Sequence, residues 1–158
     1  MRREALLVAA GVSVLLALVV VGAALATPPS GQTSTSLTRA TLGEFKAKND
    51  DIEVESQQRS ADVAVVKVVL QPGGSTGWHH HPGVGLASVA SGAVTFYDEE
   101  CNTTVYEAGE GFLESHEPML VRNEGNVVAE FYVTFIVPTE TTVLRNDVPE
   151  QPSGCTAT

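Results

Sequence analysis

Basic residues are scarce in this chain. Nine Lys and Arg stand against nineteen Asp and Glu, for a formal net charge of −10. So acidic a surface repels polyphosphate backbones and anionic headgroups, which disfavours nucleic acid and acidic membrane surfaces as partners and favours solubility. Cysteine is almost missing: Cys101 and Cys155 have no second cysteine close to either. That spacing argues against a cysteine-based zinc site, and the Pro/Ser/Gly tail around Cys155 is a poor setting for a thiol nucleophile. Aromatic residues make up only 6% of the chain, so each large one carries weight. Trp78, Phe96, Phe112, Phe131, Tyr132 and Phe135 are expected to pack in the core and to line or close it. Helical periodicity is absent after residue 50. One weak helix candidate, residues 42–48, precedes it.

Charge is also missing from one long stretch. Arg2 and Arg3 lead into residues 5–26, which contain no charged side chain and end in Ala24-Leu25-Ala26. A basic start, an apolar run and small residues at the end form a signal-peptide pattern over residues 1–26. The run is also long enough to span about 30 Å of hydrocarbon, so an uncleaved N-terminal membrane anchor is the alternative. Either way the folded part is expected outside the cytoplasm, secreted or membrane-anchored, and membrane contact is confined to residues 5–26. In that compartment Cys101 and Cys155 are expected to form a disulfide. Residues 27–36, rich in Pro, Gly, Ser, Thr and Gln, are expected to be a flexible linker. Residues 37–158 then form one domain with one core and a C-terminal tail.

Short β-like segments follow one another at even spacing. Residues 52–55, 61–70, 84–90, 93–97, 103–106, 111–114, 119–122 and 127–137 alternate or are rich in valine, with Ser91-Gly92 and residues 123–126 as turns. This pattern predicts an all-β sandwich or barrel.

Three consecutive histidines lie between glycines: Gly73, then His79, His80 and His81, then Gly92. In an extended segment side chains alternate faces, so His79 and His81 share one face and His80 points to the other. The spacing resembles the first motif of the cupins, G-x5-H-x-H-x3,4-E-x6-G, with Gly85 standing where the motif has its glutamate. The stretch Gly109 to Asn123 resembles their second motif, G-x5-P-x-G-x2-H-x3-N, with Asn123 at its end and Met119 at the histidine position. The resemblance covers most of the domain. It implies a cupin-type jelly-roll β-barrel with a site inside its mouth, and a centre of three histidines and one glutamate.

Half of that ligand set is replaced here. If one divalent transition metal ion binds, its identity open, His79 and His81 are the expected ligands, and three side chains are candidates to complete the set. Met119 offers a thioether or is a core filler. Glu114 offers a carboxylate and His116 an imidazole, each if its loop bends inward; otherwise His116 is a solvated loop residue. His79 and His81 themselves are equally compatible with an unused pair lining a pocket. Arg122, expected near the mouth, pairs an anionic ligand or, by preference, a neighbouring glutamate.

Three functions remain open. The chain is a small-molecule or metal-binding module with a degenerate metal site, or a metal-dependent enzyme of the oxygenase or isomerase class using His79 and His81, or an inert scaffold that forms a homodimer through its sheet edges. No general acid or base can be placed beside the histidines from sequence, and the catalytic residues stay unassigned.

Overall fold

A computed structural model describes residues 27–157. The expectations for residues 1–26 lie outside the described residues. Among those described there are twelve strands and no helix: β1 (Ser30–Gly43), β2 (Lys46–Lys48), β3 (Glu53–Glu55), β4 (Ala61–Ser75), β5 (His79–His80), β6 (Val84–Ser91), β7 (Ala93–Tyr97), β8 (Thr103–Glu107), β9 (Gly111–Glu114), β10 (Leu120–Arg122), β11 (Ala129–Pro138) and β12 (Asn146–Asp147). The principal sheet runs β8-β7-β10-β4-β11-β6-β9, with β1 on β4 in addition, and every pairing is antiparallel.

Alternation explains which face is buried. On β11, Ala129, Phe131, Val133, Phe135 and Val137 point inward and are buried, while the residues between them are half-buried. On β6 it is Gly85, Ala87 and Val89. Ala87, Val89 and the inward residues of β11 join Ala64, Val68 and Leu70 of β4 in one hydrophobic core. The sheet curls until its two ends meet through rings. Phe112 of β9 lies 5.1 Å from Tyr106 of β8, 5.4 Å from Phe96 of β7 and 5.7 Å from Phe131 of β11, centroid to centroid.

Two local expectations are corrected. Residues 27–36 are not a free linker, because from Ser30 onward they belong to β1, which pairs with β4 from Ser30↔Ser75 to Gly43↔Ala61. A polar stretch can be a strand where a neighbouring edge satisfies its N–H and C=O groups; here it covers β4 and keeps nearly all its side chains in water. Residues 42–48 are not helical either. They end β1 and form β2, whose Lys46 ammonium bonds Glu53 and Glu55 across the β2–β3 ladder at 2.5 and 2.7 Å. Cross-strand pairing outweighs a weak helical preference.

After β11 the chain runs back as a strap. Its β12 pairs with β5, Val148 N–H donates to Trp78 O, and the buried Trp78 donates its Nε1–H to Ala157 O at 2.9 Å. The expected disulfide, Cys101–Cys155, ties the strap down across a sequence separation of 54. Such a bond belongs to oxidising compartments. No helix among the described residues is long and apolar enough to cross a membrane.

Closing a loop of 54 residues is worth about 4 kcal/mol in the chain-entropy model, an upper-side figure. Cys155→Ala is therefore expected to lower the unfolding free energy by up to that amount in denaturant titrations. Alkylation of the native protein without reductant, read by intact mass, is expected to find no free thiol.

Candidate functional site

The site is built around β5. Gly77 precedes it with φ +67°, and a Cβ there would lie 2.0 Å from Thr27 O, so this turn requires glycine. The extended segment that follows alternates as expected. His79 and His81 are buried, whereas His80 is half-buried on the other side. Both inner rings are fixed through Nδ1, His79 to Gly77 O at 2.8 Å and His81 to Leu144 O at 2.5 Å. A carbonyl only accepts, so each Nδ1 carries the proton and each Nε2 keeps its lone pair. The two rings sit edge to face, 4.8 Å apart.

Glu114 joins them without any bend of its loop. It ends β9, and the same alternation that buries Phe112 turns Glu114 inward. Its partner in the β6–β9 ladder is Gly85. A Cβ at Gly85 would meet Glu114 Oε2 at 2.9 Å and Phe135 Cε1 at 2.9 Å. The space beside Gly85 is thus filled by a glutamate from the adjacent strand. Glu114 Oε2 approaches His81 Nε2 to 3.3 Å, and neither atom has an aligned hydrogen-bond partner.

Burial sets the charges. Desolvation holds His79 well below the usual imidazole range and brings His81 down to about 4, with Arg145 adding repulsion and the Leu144 carbonyl opposing it at His81. Desolvation pushes Glu114 up to about 8, partly offset by Arg145. At neutral pH the His81–Glu114 contact is therefore one between uncharged groups, not an ion pair.

These groups face a cavity of about 410 Å³, within the size range of small-ligand pockets. Val66 and Val68 of β4 and Phe131, Val133 and Phe135 of β11 make its apolar walls; Gln32, Ser34 and Ser36 of β1 make a polar one. Val143, Leu144 and Arg145 of the strap cover it. The strap and β1 residues escaped sequence reasoning because they lie outside both motifs. The period-two spacing of Gln32, Ser34 and Ser36 was the one local signal.

The remaining expected residues lie elsewhere. Met119 is buried and bridges His79 through its backbone, but it does not line the cavity. His116 is exposed, its ring 2.8 Å from Glu117. Trp78 packs under the strap, while Phe96 and Phe112 belong to the core. Tyr132 is a correction to the expected lining: alternation on β11 sends it outward, where it bonds Glu130 at 2.7 Å and lies 5.9 Å from Lys67 Nζ. Arg122, on β10 opposite Thr95, does not line the cavity.

The motif resemblance implies a metal ion at these residues. Two imidazole lone pairs and a nearby carboxylate are suitable chemistry. However, no three His, Cys, Asp or Glu side chains among the described residues gather tightly enough to hold an ion. Glu114 would first have to lose its proton, and the Arg145 charge acts against a cation. The set does not fit a complete centre.

Comparison with known proteins agrees with the fold. The family model for the cupin domain, Cupin_2, matches residues 66–135. Among solved structures, the polyketide cyclase RemF from Streptomyces resistomycificus is 19% identical, with a TM-score of 0.53 over 79% of this chain and 78% of that one. A conserved protein with a double-stranded β-helix domain from Klebsiella pneumoniae is 17% identical (TM-score 0.48, 77% and 85% covered). Recombinant oxalate oxidase in complex with glycolate is 20% identical (TM-score 0.48, 70% and 53% covered). At 19% identity the likeness to the polyketide cyclase is one of fold. No curated protein matches the sequence.

Two outcomes are expected. Gly85→Ala should destabilise by about 1–3 kcal/mol through overpacking, and less in a Glu114→Ala background, as a double-mutant cycle in urea would measure. The second concerns pH. The lowered histidines bind fewer protons folded than unfolded below about 6.5, so their contribution is lost on acidification. Glu114, raised to about 8, binds one more proton folded than unfolded between roughly 4.5 and 8, so stability falls as pH rises through that window. The site's contribution should peak near pH 6.5. Glu114→Gln should remove the descending limb up to pH 8 in denaturation midpoints measured across that range.

Proposed function

Because the chain belongs to the cupin superfamily, we propose that it is an extracytoplasmic binding module whose barrel cavity takes a small organic molecule, with a metal site reduced to His79, His81 and Glu114. The observation that carries this reading is the cavity itself: about 410 Å³, walled mainly by valine and phenylalanine, with His79, His81, Glu114 and Arg145 converging on it. Apolar walls with a few placed polar groups are the usual form of a small-ligand site. The Cys101–Cys155 disulfide supports a location outside the cytoplasm.

A metal-dependent enzyme is the second reading, and one observation favours it. His81 Nε2 and Glu114 Oε2 are buried, adjacent and unpartnered, as atoms awaiting a ligand would be. In that case His79, His81 and Glu114 would first have to draw together, because among the described residues they do not gather tightly enough to hold an ion, and the ion would supply Lewis-acid or redox chemistry.

Elemental analysis of protein purified without a histidine tag separates the two. The binding-module reading expects less than about 0.1 metal per chain, with 1-hexanol or benzyl alcohol binding measurably in calorimetry. Stoichiometric metal that survives His80→Ala but not His79→Ala would establish the enzyme-type centre instead.

A further inference from the structure

One charged group at the cavity belongs to neither motif. Arg145 sits on the strap just before β12 and lines the cavity, its side chain 25% exposed. Its Nε donates to Asp147 Oδ1 at 2.6 Å, while its Nη2 is buried with no hydrogen-bond partner. A guanidinium keeps its charge at any physiological pH and presents five donors in a planar fork. Leaving a buried charged donor unpaired is costly, so its partner is to be sought in what fills the cavity. Asp147 does not fill that role. Its side chain is 59% exposed and engages only the Nε edge. The one carboxyl group among the described residues that line the cavity, Glu114, lies against His81 and makes no hydrogen bond to Arg145.

The rest of the enclosure selects the body of the ligand. Val68, Phe131 and Val133 present apolar surface. On the β1 side, Gln32 Oε1 is another buried atom without a partner, an acceptor for a hydroxyl or similar donor. We propose that the cavity binds an organic monocarboxylate with an apolar body, its carboxylate seated on Arg145 Nη2 and its body against Val68, Phe131 and Val133. This rests on the reading of the cavity as a small-molecule site and assigns the ligand class. Bound in this way, the ligand pairs the guanidinium within an apolar enclosure, where a charge-assisted hydrogen bond is stronger than in water. The strap carries the anchoring residue, so ligand selection resides in a segment outside the barrel strands.

The test is calorimetric titration of the disulfide-intact protein with two matched pairs, hexanoate against 1-hexanol and benzoate against benzyl alcohol. Each carboxylate is expected to bind at least about tenfold tighter than its alcohol. Arg145→Gln should erase that preference, bringing each carboxylate to within about twofold of its alcohol. Arg145→Lys should keep part of it, and Asp147→Asn should widen it by removing the competing carboxylate. Alcohol binding without a carboxylate preference overturns the ligand class and leaves the cavity reading standing. No binding by either pair overturns both. If Arg145→Gln does not fold, the other two variants decide, and an unchanged preference in both overturns the proposal.

Discussion

Strand β4 is paired along both of its edges, with β1 on one side and β11 on the other. The rest of the molecule hangs from that arrangement. The β4–β11 ladder runs from Ala61↔Pro138 to Leu70↔Ala129 and decides which residues of β11 face inward. β11 sets the register of β6, and β6 sets that of β9, ending at Gly85↔Glu114. A one-residue slip of β11 on β4 would turn Phe131, Val133 and Phe135 outward, and one of β9 on β6 would carry Glu114 away from the histidines. The site is thus a consequence of register, propagated across three ladders.

Within that frame, desolvation governs the chemistry. His79, His81 and Glu114 are all buried and all held in their uncharged forms. Backbone carbonyls orient both imidazoles, and one of those carbonyls, Leu144 O, comes from the strap. The strap therefore does more than cover the cavity: it fixes a ring of the site and delivers the cavity's permanent cation. Its own hold comes from β12, from Trp78 and from the Cys101–Cys155 bond. A chain segment with so little apolar surface could not keep that position by packing alone.

Much of the fold was legible because its signals are local. The valine-rich alternation of residues 61–70 and 127–137 appears as β4 and β11, and the Gly73-to-Gly92 spacing with its histidines appears as β5 entering β6. The separation of His79 and His81 from His80 follows from period two, a property of any extended backbone. The failures share a cause as well. Residues 30–36 are polar and became a strand only because β4 offers an unpaired edge. Tyr132 was grouped with the other aromatics, although its position between two inward residues sends it to solvent. Glu114 was expected to need a bend, yet alternation along β9 already points it inward.

By itself the sequence determined the β class, the shared face of His79 and His81, and the loss of the glutamate at position 85. Each of these depends on residues a few positions apart, where backbone geometry leaves little freedom. The tertiary structure alone decided that Glu114 fills the space beside Gly85, that His81 is held by Leu144, and that Arg145 reaches the cavity. The first two pairings join residues 29 and 63 positions apart in the chain, and all three are brought about by ladder register and a cross-linked strap rather than by any local pattern.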